Sequence, residues 1–541
     1  MITMKRNARI TLLLLLIAGL WLALKPTLGN RRFTFLPFRL SEYIDFMDFW
    51  LNLGSFALLG LTVWLAFGAL EKAFSRMWMM TGFITLLNIT LELVQSSIPG
   101  REMDFADVWA GLLGCVLGIF GGIVLQLLSI RKKTGRTSPQ VLFLDQTGRL
   151  GGAELMLLDI AAARAADSEA LLFQDGEFRT ALENIGVKTT VLALGEDAST
   201  VDKQAGLKRV LRSIPGILQL MLQVVQAARS FDVVYANTAK ALIIGGPAAR
   251  LAGRPLIFHL HDIIADGHFS MLNQQALILC ANHCAQSVIA NSEATKDAFI
   301  ACGGRAELCV VVPNGFRIPT ERSSTEETKS LRTSLGIPSA AWTVLMAGRL
   351  AHWKGQHVLL EALKAVPNAH AVLLGDALFT DEDRKYAQQL HTQAEELSGR
   401  VHFAGFQSKT MPYFDMADVV VHASVYPEPF GRVIVEGMLA CKPVIASRAG
   451  GAAEIISHEQ TGLLVNPGRP TELADALLRL QHDSEFASII AHQALQTARA
   501  TYALSAVQEK IEAVIHQIAS PQEPEVLSSI IPPKKSPPCA A

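Results

Sequence analysis

Tyr426-Pro-Glu428-Pro-Phe430-Gly431-Arg-Val-Ile-Val-Glu436-Gly, and after it Ala440-Cys-Lys-Pro443-Val-Ile-Ala446, places two carboxylates eight positions apart. Glu428 lies in a Pro-bounded loop and Glu436 in an apolar run, with Gly431 between them where backbone can approach a ligand closely. A loop that opens a helix near Gly431 aims unpaired N–H groups and the positive end of the helix dipole forward, which suits a diphosphate. Glu428 can accept hydrogen bonds from sugar hydroxyls, and Glu436, about two turns along the helix, can grip a ribose diol. Two glutamates alone at this spacing would mark only a solvated helix face, so the flanking sequence decides.

Upstream, Val344-Leu-Met-Ala-Gly348-Arg349-Leu-Ala-His-Trp-Lys354-Gly355 reads as a buried strand, a glycine turn and a helix that begins at Gln356. Arg349 and Lys354 bracket the turn, so two cations converge on the C-terminal edge of a strand, where open α/β sheets bind ligands. A basic pair in a loop is ordinarily solvated surface. Beside the Glu-x7-Glu element it becomes the other half of one site.

Residues ~140–518 resemble a family 4 glycosyltransferase of the GT-B fold. The ordered elements that carry the resemblance are Gly151-Gly152-Ala-Glu154, Asp232-Val-Val-Tyr-Ala-Asn237, His259-Leu-His261-Asp262, Val288-Ile-Ala-Asn291-Ser292, Val312-Pro-Asn314-Gly315, the Gly348 to Gly355 turn, Glu428 to Glu436 and Thr461-Gly462-Leu-Leu-Val465. The resemblance implies transfer of a sugar from a nucleotide donor with retention of configuration. It implies that Arg349 and Lys354 hold the diphosphate, Glu428 contacts the donor sugar and Glu436 binds the ribose. His261 would lie beside the transferred sugar, and the Gly151-Gly152 turn would line the donor and acceptor sites. The implied catalytic set is His261, Arg349, Lys354 and Glu428, and the implied donor set is Gly151, Gly152, Gly348, Arg349, Lys354, Glu428, Phe430, Gly431 and Glu436.

A chain of 541 residues holds roughly three domains of about 150 residues each. A net charge of −1 with 18% charged residues gives no basic field to attract nucleic acid. The hydrophobic content of 50% is high for a soluble enzyme, and the excess sits at the front. Four apolar runs occupy Ile10 to Leu24, Phe49 to Leu70, Met77 to Val94 and Ala106 to Ile130. The second and fourth suffice for ~30 Å of hydrocarbon, and the first and third are marginal alone. Lys5, Arg6 and Arg9 precede the first run, yet Trp21 to Pro26 offers no small-residue cleavage site, so an uncleaved first helix is expected.

With both ends of this domain inside, Lys5, Arg6, Arg9, Lys72, Arg76, Arg131, Lys132, Lys133 and Arg136 are cytoplasmic. Lys25, Arg31, Arg32, Arg39 and Arg101 then lie outside. The expected location is the inner (cytoplasmic) membrane, multi-pass, with the catalytic part in the cytoplasm. Glu92-Leu-Val-Gln95, Pro99-Gly100-Arg101, Asp107 and Gly114 resemble the VanZ-like membrane domain, with Gly111 where that family commonly has Asn. Glu92, Arg101 and Asp107 form either a site there or a salt-bridged loop that locks the helices.

Arg131 to Gln140 reads as a linker, and Val141-Leu-Phe-Leu144 as a first strand leading to the glycine turn. Runs at Thr190 to Leu194, Val233 to Ala236, Leu256 to Leu260 and Ser287 to Ala290 alternate with helical segments. A second set starts at Val344 and continues through Ala371 to Leu374, Val401 to Phe403, Val419 to His422 and Val444 to Ala446. Two doubly wound Rossmann-like domains follow. The expected boundaries are 1–136 for the membrane domain and linker, 137–318 for the acceptor-side domain, 319–518 for the nucleotide-sugar domain and 519–541 for a Pro-rich disordered tail. Lys203, Lys208, Arg209 and Arg212 among Leu207, Val210 and Leu211 suit either an exposed helix or one lying on an anionic membrane.

Cys280-x3-Cys284 with His283 lacks a second ligand pair at zinc spacing, and seven scattered cysteines suit reduced cytosolic thiols. Asp381-Glu-Asp383 follows Thr380 and reads as an acidic helix start rather than a metal motif. No cofactor and no metal is therefore expected. Charge on the departing β-phosphate would be met by Arg349, Lys354 and helix N–H groups, with His261 acting as a base or positioning a hydroxyl. The expected partners are a nucleotide-sugar donor, a glycan or lipid-linked acceptor of the cell envelope, and the membrane. The competing expectation is a non-catalytic envelope protein in which the VanZ-like part carries the function and the GT-B part only binds.

Overall fold

A computed structural model describes residues 53–61, 63–64, 73–96, 105–128, 138–192, 207–264, 270–377 and 381–520. The described residues fall into two compact units, one drawn from 1–137, 192–232 and 247–254, the other from 138–191, 233–246 and 255–541.

In the first unit, helices Ala73–Ser96 and Phe105–Leu128 pack together, with residues 53–61 helical beside them. Glycine permits this closeness: a Cβ at Gly118 would stand 1.8 Å from the Ala57 carbonyl oxygen, and one at Gly114 2.3 Å from that of Leu53. Trp64, Ile84 and Ile119 are buried, whereas Met79, Phe83, Leu86, Trp109, Leu113 and Phe120 are exposed. Among the described residues no helix is long and apolar enough to cross a membrane. The expected first run at Ile10 to Leu24, Arg101, the side chains of Glu92 and Asp107, and the tail beyond 520 lie outside the described residues. A helix Leu207–Ala228 covers the end of the basic stretch; Lys203 and the side chains of Lys208, Arg209 and Arg212 also lie outside them.

The second unit holds two all-parallel sheets. The first comprises β1 (Val141–Asp145), β2 (Ser168–Leu172), β3 (Lys188–Val191), β4 (Val233–Ala236), β5 (Leu256–Leu260), β6 (Ser287–Ala290) and β7 (Cys309–Val311), ordered β3-β2-β1-β4-β5-β6-β7. The second comprises β8 (Trp342–Ala347), β9 (Ala369–Leu374), β10 (Val401–Gly405), β11 (Val419–His422), β12 (Val444–Ser447) and β13 (Leu463–Val465), ordered β10-β9-β8-β11-β12-β13. Central strands such as β1, β4, β5 and β11 are buried along their whole length, as strands covered on both faces must be. Strand order reverses between β1 and β4 in one sheet and between β8 and β11 in the other. Crevices beyond the carboxyl ends of strands at such reversals are where doubly wound sheets bind ligands.

Expectation and structure part at the end of the chain. Helix Leu504–Ala519 buries Val507, Ile511, Val514 and Ile515 in the core of the first sheet, although 319–518 was expected to belong to the second domain. Its apolar face finds its cover there, an Arg164–Glu512 ion pair anchors it, and Gln508 Nε2 donates to the Asp159 carbonyl at 2.8 Å.

Candidate functional site

The turn after β8 gives the site its cations. Gly355 has φ +80°, and a Cβ there would stand 2.0 Å from the Ala423 carbonyl oxygen, so the turn needs glycine on both counts. This close approach delivers Lys354 to the end of β11, where its Nζ donates to Glu428 Oε1 at 2.5 Å. Glu428 Oε2 accepts from His422 Nε2 at 2.5 Å and from Ser424 Oγ at 2.9 Å. Burial alone would raise the Glu428 carboxyl, but Lys354 and His422 outweigh it and hold the group well below the usual carboxylate range. Lys354 and Arg349 also lie over the Trp353 ring, at 4.3 and 5.7 Å from its centroid.

Glu428 has most of its acceptor capacity already in use. A carboxylate offers about four acceptor sites, two on each oxygen. His422 and Ser424 occupy both on Oε2 and Lys354 one on Oε1, leaving a single acceptor position for an incoming hydroxyl.

The facing half is built from the ends of β1, β4 and β5. Asn237 Nδ2 donates to Asp145 Oδ2 at 2.8 Å and to the Ala153 carbonyl at 3.3 Å, which fixes the amide orientation. Its Oδ1 therefore accepts from His261 Nε2 at 3.0 Å, leaving Nδ1 as the imidazole lone pair. Burial, and secondarily the charge of Arg432, push the His261 pKa down to about 3, so the ring is neutral at physiological pH. Burial lifts the Asp145 carboxyl to about 6 against hydrogen bonds from Asn237, Thr147 and Gln146. Glu154, on the helix Gly152–Ala162 behind the glycine turn, is lifted by burial and by neighbouring Asp145 to about 7, tempered by backbone N–H groups of Glu154 and Gly151.

Between the halves lies a cavity of about 680 Å³ whose walls include Gly152, Glu154, His261, Arg349, Trp353 and Glu428. Four of the residues singled out in the sequence thus meet: Gly152, His261, Arg349 and Glu428. Lys354 acts from behind Glu428, and Gly151 and Gly348 stand in the turns next to lining residues. Gly431 (φ +100°) caps helix Arg432–Leu439, and Glu436 stands on that helix with its carboxyl raised by burial. The Phe430 ring is turned away, buried against Phe316 and Tyr502, so only its backbone is left for a ligand. Asp381–Asp383 occupy the first turn of helix Asp381–Glu395.

The two halves also bind each other directly. Ser292 Oγ donates to the Pro429 carbonyl at 2.6 Å, and the Glu454 carboxylate accepts from the Glu293 and Ala294 amides at 2.9 and 2.6 Å. Sequence reasoning gave no role to His422, Ser424, Trp353 or Asp145. The one trace of the first two is the abrupt polarity that ends the apolar run Val419-Val-Val-His422-Ala-Ser424.

Residues 327–497 match the family model "Glycosyl transferases group 1", and residues 177–318 match "Glycosyltransferase Family 4". Neither match extends into residues 1–136. The crystal structure of Anabaena Alr3699/HepE in complex with UDP is 39% identical, with a TM-score of 0.63 over 70% of this chain and 100% of that one. The same protein has been crystallised with UDP-glucose. The lipopolysaccharide core biosynthesis glycosyltransferase LpsE of Rhizobium meliloti is 32% identical over 178 residues, 33% of this chain and 51% of that protein. The chain spans about half the length of the curated relatives it matches.

Proposed function

The chain belongs to the glycosyltransferases of the GT-B fold, and from that premise we propose that it transfers a sugar, with retention, from a uridine diphosphate donor to a cell-envelope glycan or lipid-linked acceptor. The observation that carries this reading is the cavity where Arg349 and the Lys354-held Glu428 face Gly152 and the neutral His261. The uridine assignment is supported by the complexes of the 39% identical Anabaena protein with UDP and UDP-glucose. An envelope acceptor is supported by the printed role of LpsE in lipopolysaccharide core biosynthesis.

In this reading the glycosidic C–O bond to the β-phosphate breaks as the acceptor oxygen attacks from the same face, and the departing phosphate takes the acceptor's proton. Arg349, Lys354 and the first N–H groups after Gly431 stabilise the growing phosphate charge as preorganised donors. Glu428 offers its one remaining lone pair to a hydroxyl of the donor sugar, and Glu436 holds the ribose. His261 orients a hydroxyl through its Nδ1 lone pair; a ring that protonates only near pH 3 is a weak general base.

The membrane enters the proposal through the first unit. Met79, Phe83 and Leu86 on one helix and Trp109, Leu113 and Phe120 on the other present large apolar side chains outward, the second helix being packed through Gly114 and Gly118 against residues 53–61. Lipid is the cover we propose for them, with the sheets on the cytoplasmic side where nucleotide sugars are made. Membranes carrying the full chain are to be incubated with a panel of uridine, guanosine and adenosine diphosphate sugars. One UDP-sugar should be consumed, UDP released and the anomeric configuration kept, and Arg349→Ala should lower the rate by about 10²-fold. Consumption of a GDP- or ADP-sugar instead would overturn the uridine assignment, and inversion would overturn the mechanism.

A further inference from the structure

One cation beside the site has no function in the account above. Arg432 is the first residue of helix Arg432–Leu439, immediately after the left-handed Gly431. Its guanidinium carbon lies 4.6 Å above the Phe316 ring, and its Nε stands 3.9 Å from Glu436 Oε1, beyond hydrogen-bond range. Nη1 is buried and has no hydrogen-bond partner among the described residues. The side chain reaches toward the opposite half of the cleft: a Cβ placed on Gly152 would be 3.4 Å from Arg432 Cδ. Its charge is also felt at His261.

A buried guanidinium nitrogen with an unmade hydrogen bond is costly, and an arriving anion would remove that cost. The place defines the anion. The unpaired nitrogen belongs to the residue that opens the helix proposed to meet the diphosphate, and its side chain runs toward the glycine turn. Lys354 already shares its charge with Glu428, so that pair contributes little net positive charge. We propose that Arg432 is a donor-binding residue, a third cation beside Arg349 and Lys354, whose unpaired Nη1 receives the diphosphate of the nucleotide sugar. The planar guanidinium suits this task, since its N–H fork matches phosphate oxygens and sheds water more readily than an ammonium. The assignment rests on the donor reading above and deepens it.

The test measures binding of UDP, UMP and uridine to the full chain in detergent by calorimetry, with Arg432→Leu and Arg432→Gln beside the unaltered protein. Removing one charged hydrogen-bond partner should weaken UDP binding roughly tenfold to a hundredfold. Uridine affinity should stay within about twofold, because the contact is to phosphate. Arg432→Gln keeps a polar side chain that can lie over Phe316, so it reports on charge if the Leu variant unfolds. A purely spacing role predicts equal losses for all three ligands, and that result would overturn the assignment alone. Unchanged UDP affinity in Arg432→Gln would do the same while leaving the donor reading intact. If the unaltered chain bound no UDP, the donor reading would fall and take this assignment with it.

Discussion

Replacing Lys354 by Met removes the cation from a carboxylate that the fold has largely withdrawn from water. The side chains are 15% and 12% exposed for Lys354 and Glu428, and the ion pair is 2.5 Å long. Gross attraction at an effective dielectric of ~20 is roughly 6–7 kcal/mol, most of it offset by desolvation of the two ions. Breaking such a pair typically costs ~3–5 kcal/mol, and His422 and Ser424, still bound to Oε2, favour the lower end. Glu428→Gln should cost about 2 kcal/mol, because the ammonium left behind still rests on Trp353. The double variant carries no uncompensated charge, so its loss should fall short of the sum by about 2 kcal/mol or more. Urea unfolding of the full chain gives the cycle, and turnover supplies the second readout: Lys354→Met should lose about 10²-fold or more, with no recovery in the double variant. The pH dependence has a definite sign. The folded pKa of Glu428 lies below its unfolded value of about 4.3, so its contribution is complete at neutral pH and fades as the pH falls below about 4. The stability gap between the unaltered chain and Lys354→Met should therefore narrow in acid. Additivity of the two single losses within about 0.5 kcal/mol would refute the coupling on which this account of the site depends.

Glu436→Gln should raise donor KM roughly tenfold to a hundredfold with little change in kcat, and steady-state kinetics that reversed this split would remove it from the ribose. Glu154→Gln tests the buried carboxyl. Its folded pKa of about 7 exceeds the unfolded value, so the native state loses stability as pH rises from about 4.5 to 7, and the variant should gain up to about 3 kcal/mol on the unaltered chain at pH 8 and little at pH 5. Thermal melts at the two pH values check it. A reporter fused after Arg136 should read as cytoplasmic and one placed between Lys25 and Arg39 as external; the opposite pattern would separate the enzyme from its nucleotide pool.

The strands were legible because parallel strands covered on both faces must be continuously apolar, and Val141-Leu-Phe-Leu144 or Val419-Val-Val-His422 leave little alternative. Ser168–Leu172 opens on Ser-Glu, which interrupts the apolar run, and Cys309–Val311 is only three residues long, too short to display one. Arg349, Lys354 and Glu428 could be named from loop chemistry, yet the direction in which Glu428 points depends on His422 and Ser424, which enter from the end of β11. Nothing in the spacing shows that the Phe430 ring packs into the core against Phe316, 114 residues away, since that contact exists only once the core around the second sheet has formed. The terminal helix was misplaced for a related reason. An amphipathic pattern announces an apolar face without naming the sheet that covers it.

Three consecutive residues of the decisive stretch are held in three directions, and this explains why so short a segment can organise the cleft. The Glu428 carboxylate points at Lys354 of its own domain, and its carbonyl accepts the Gly451 amide at 2.8 Å. The Pro429 carbonyl accepts from Ser292 across the cleft, and the Phe430 ring is fixed in the core. Gly431 then turns through φ +100° and releases the chain into the helix Arg432–Leu439, whose first N–H groups have no partner within the helix. A loop anchored this way pays its ordering entropy on folding rather than on binding. In the proposed reaction its dipoles are fixed before charge develops on the departing phosphate, the condition under which electrostatic stabilisation lowers a barrier without reorganisation at the moment of reaction.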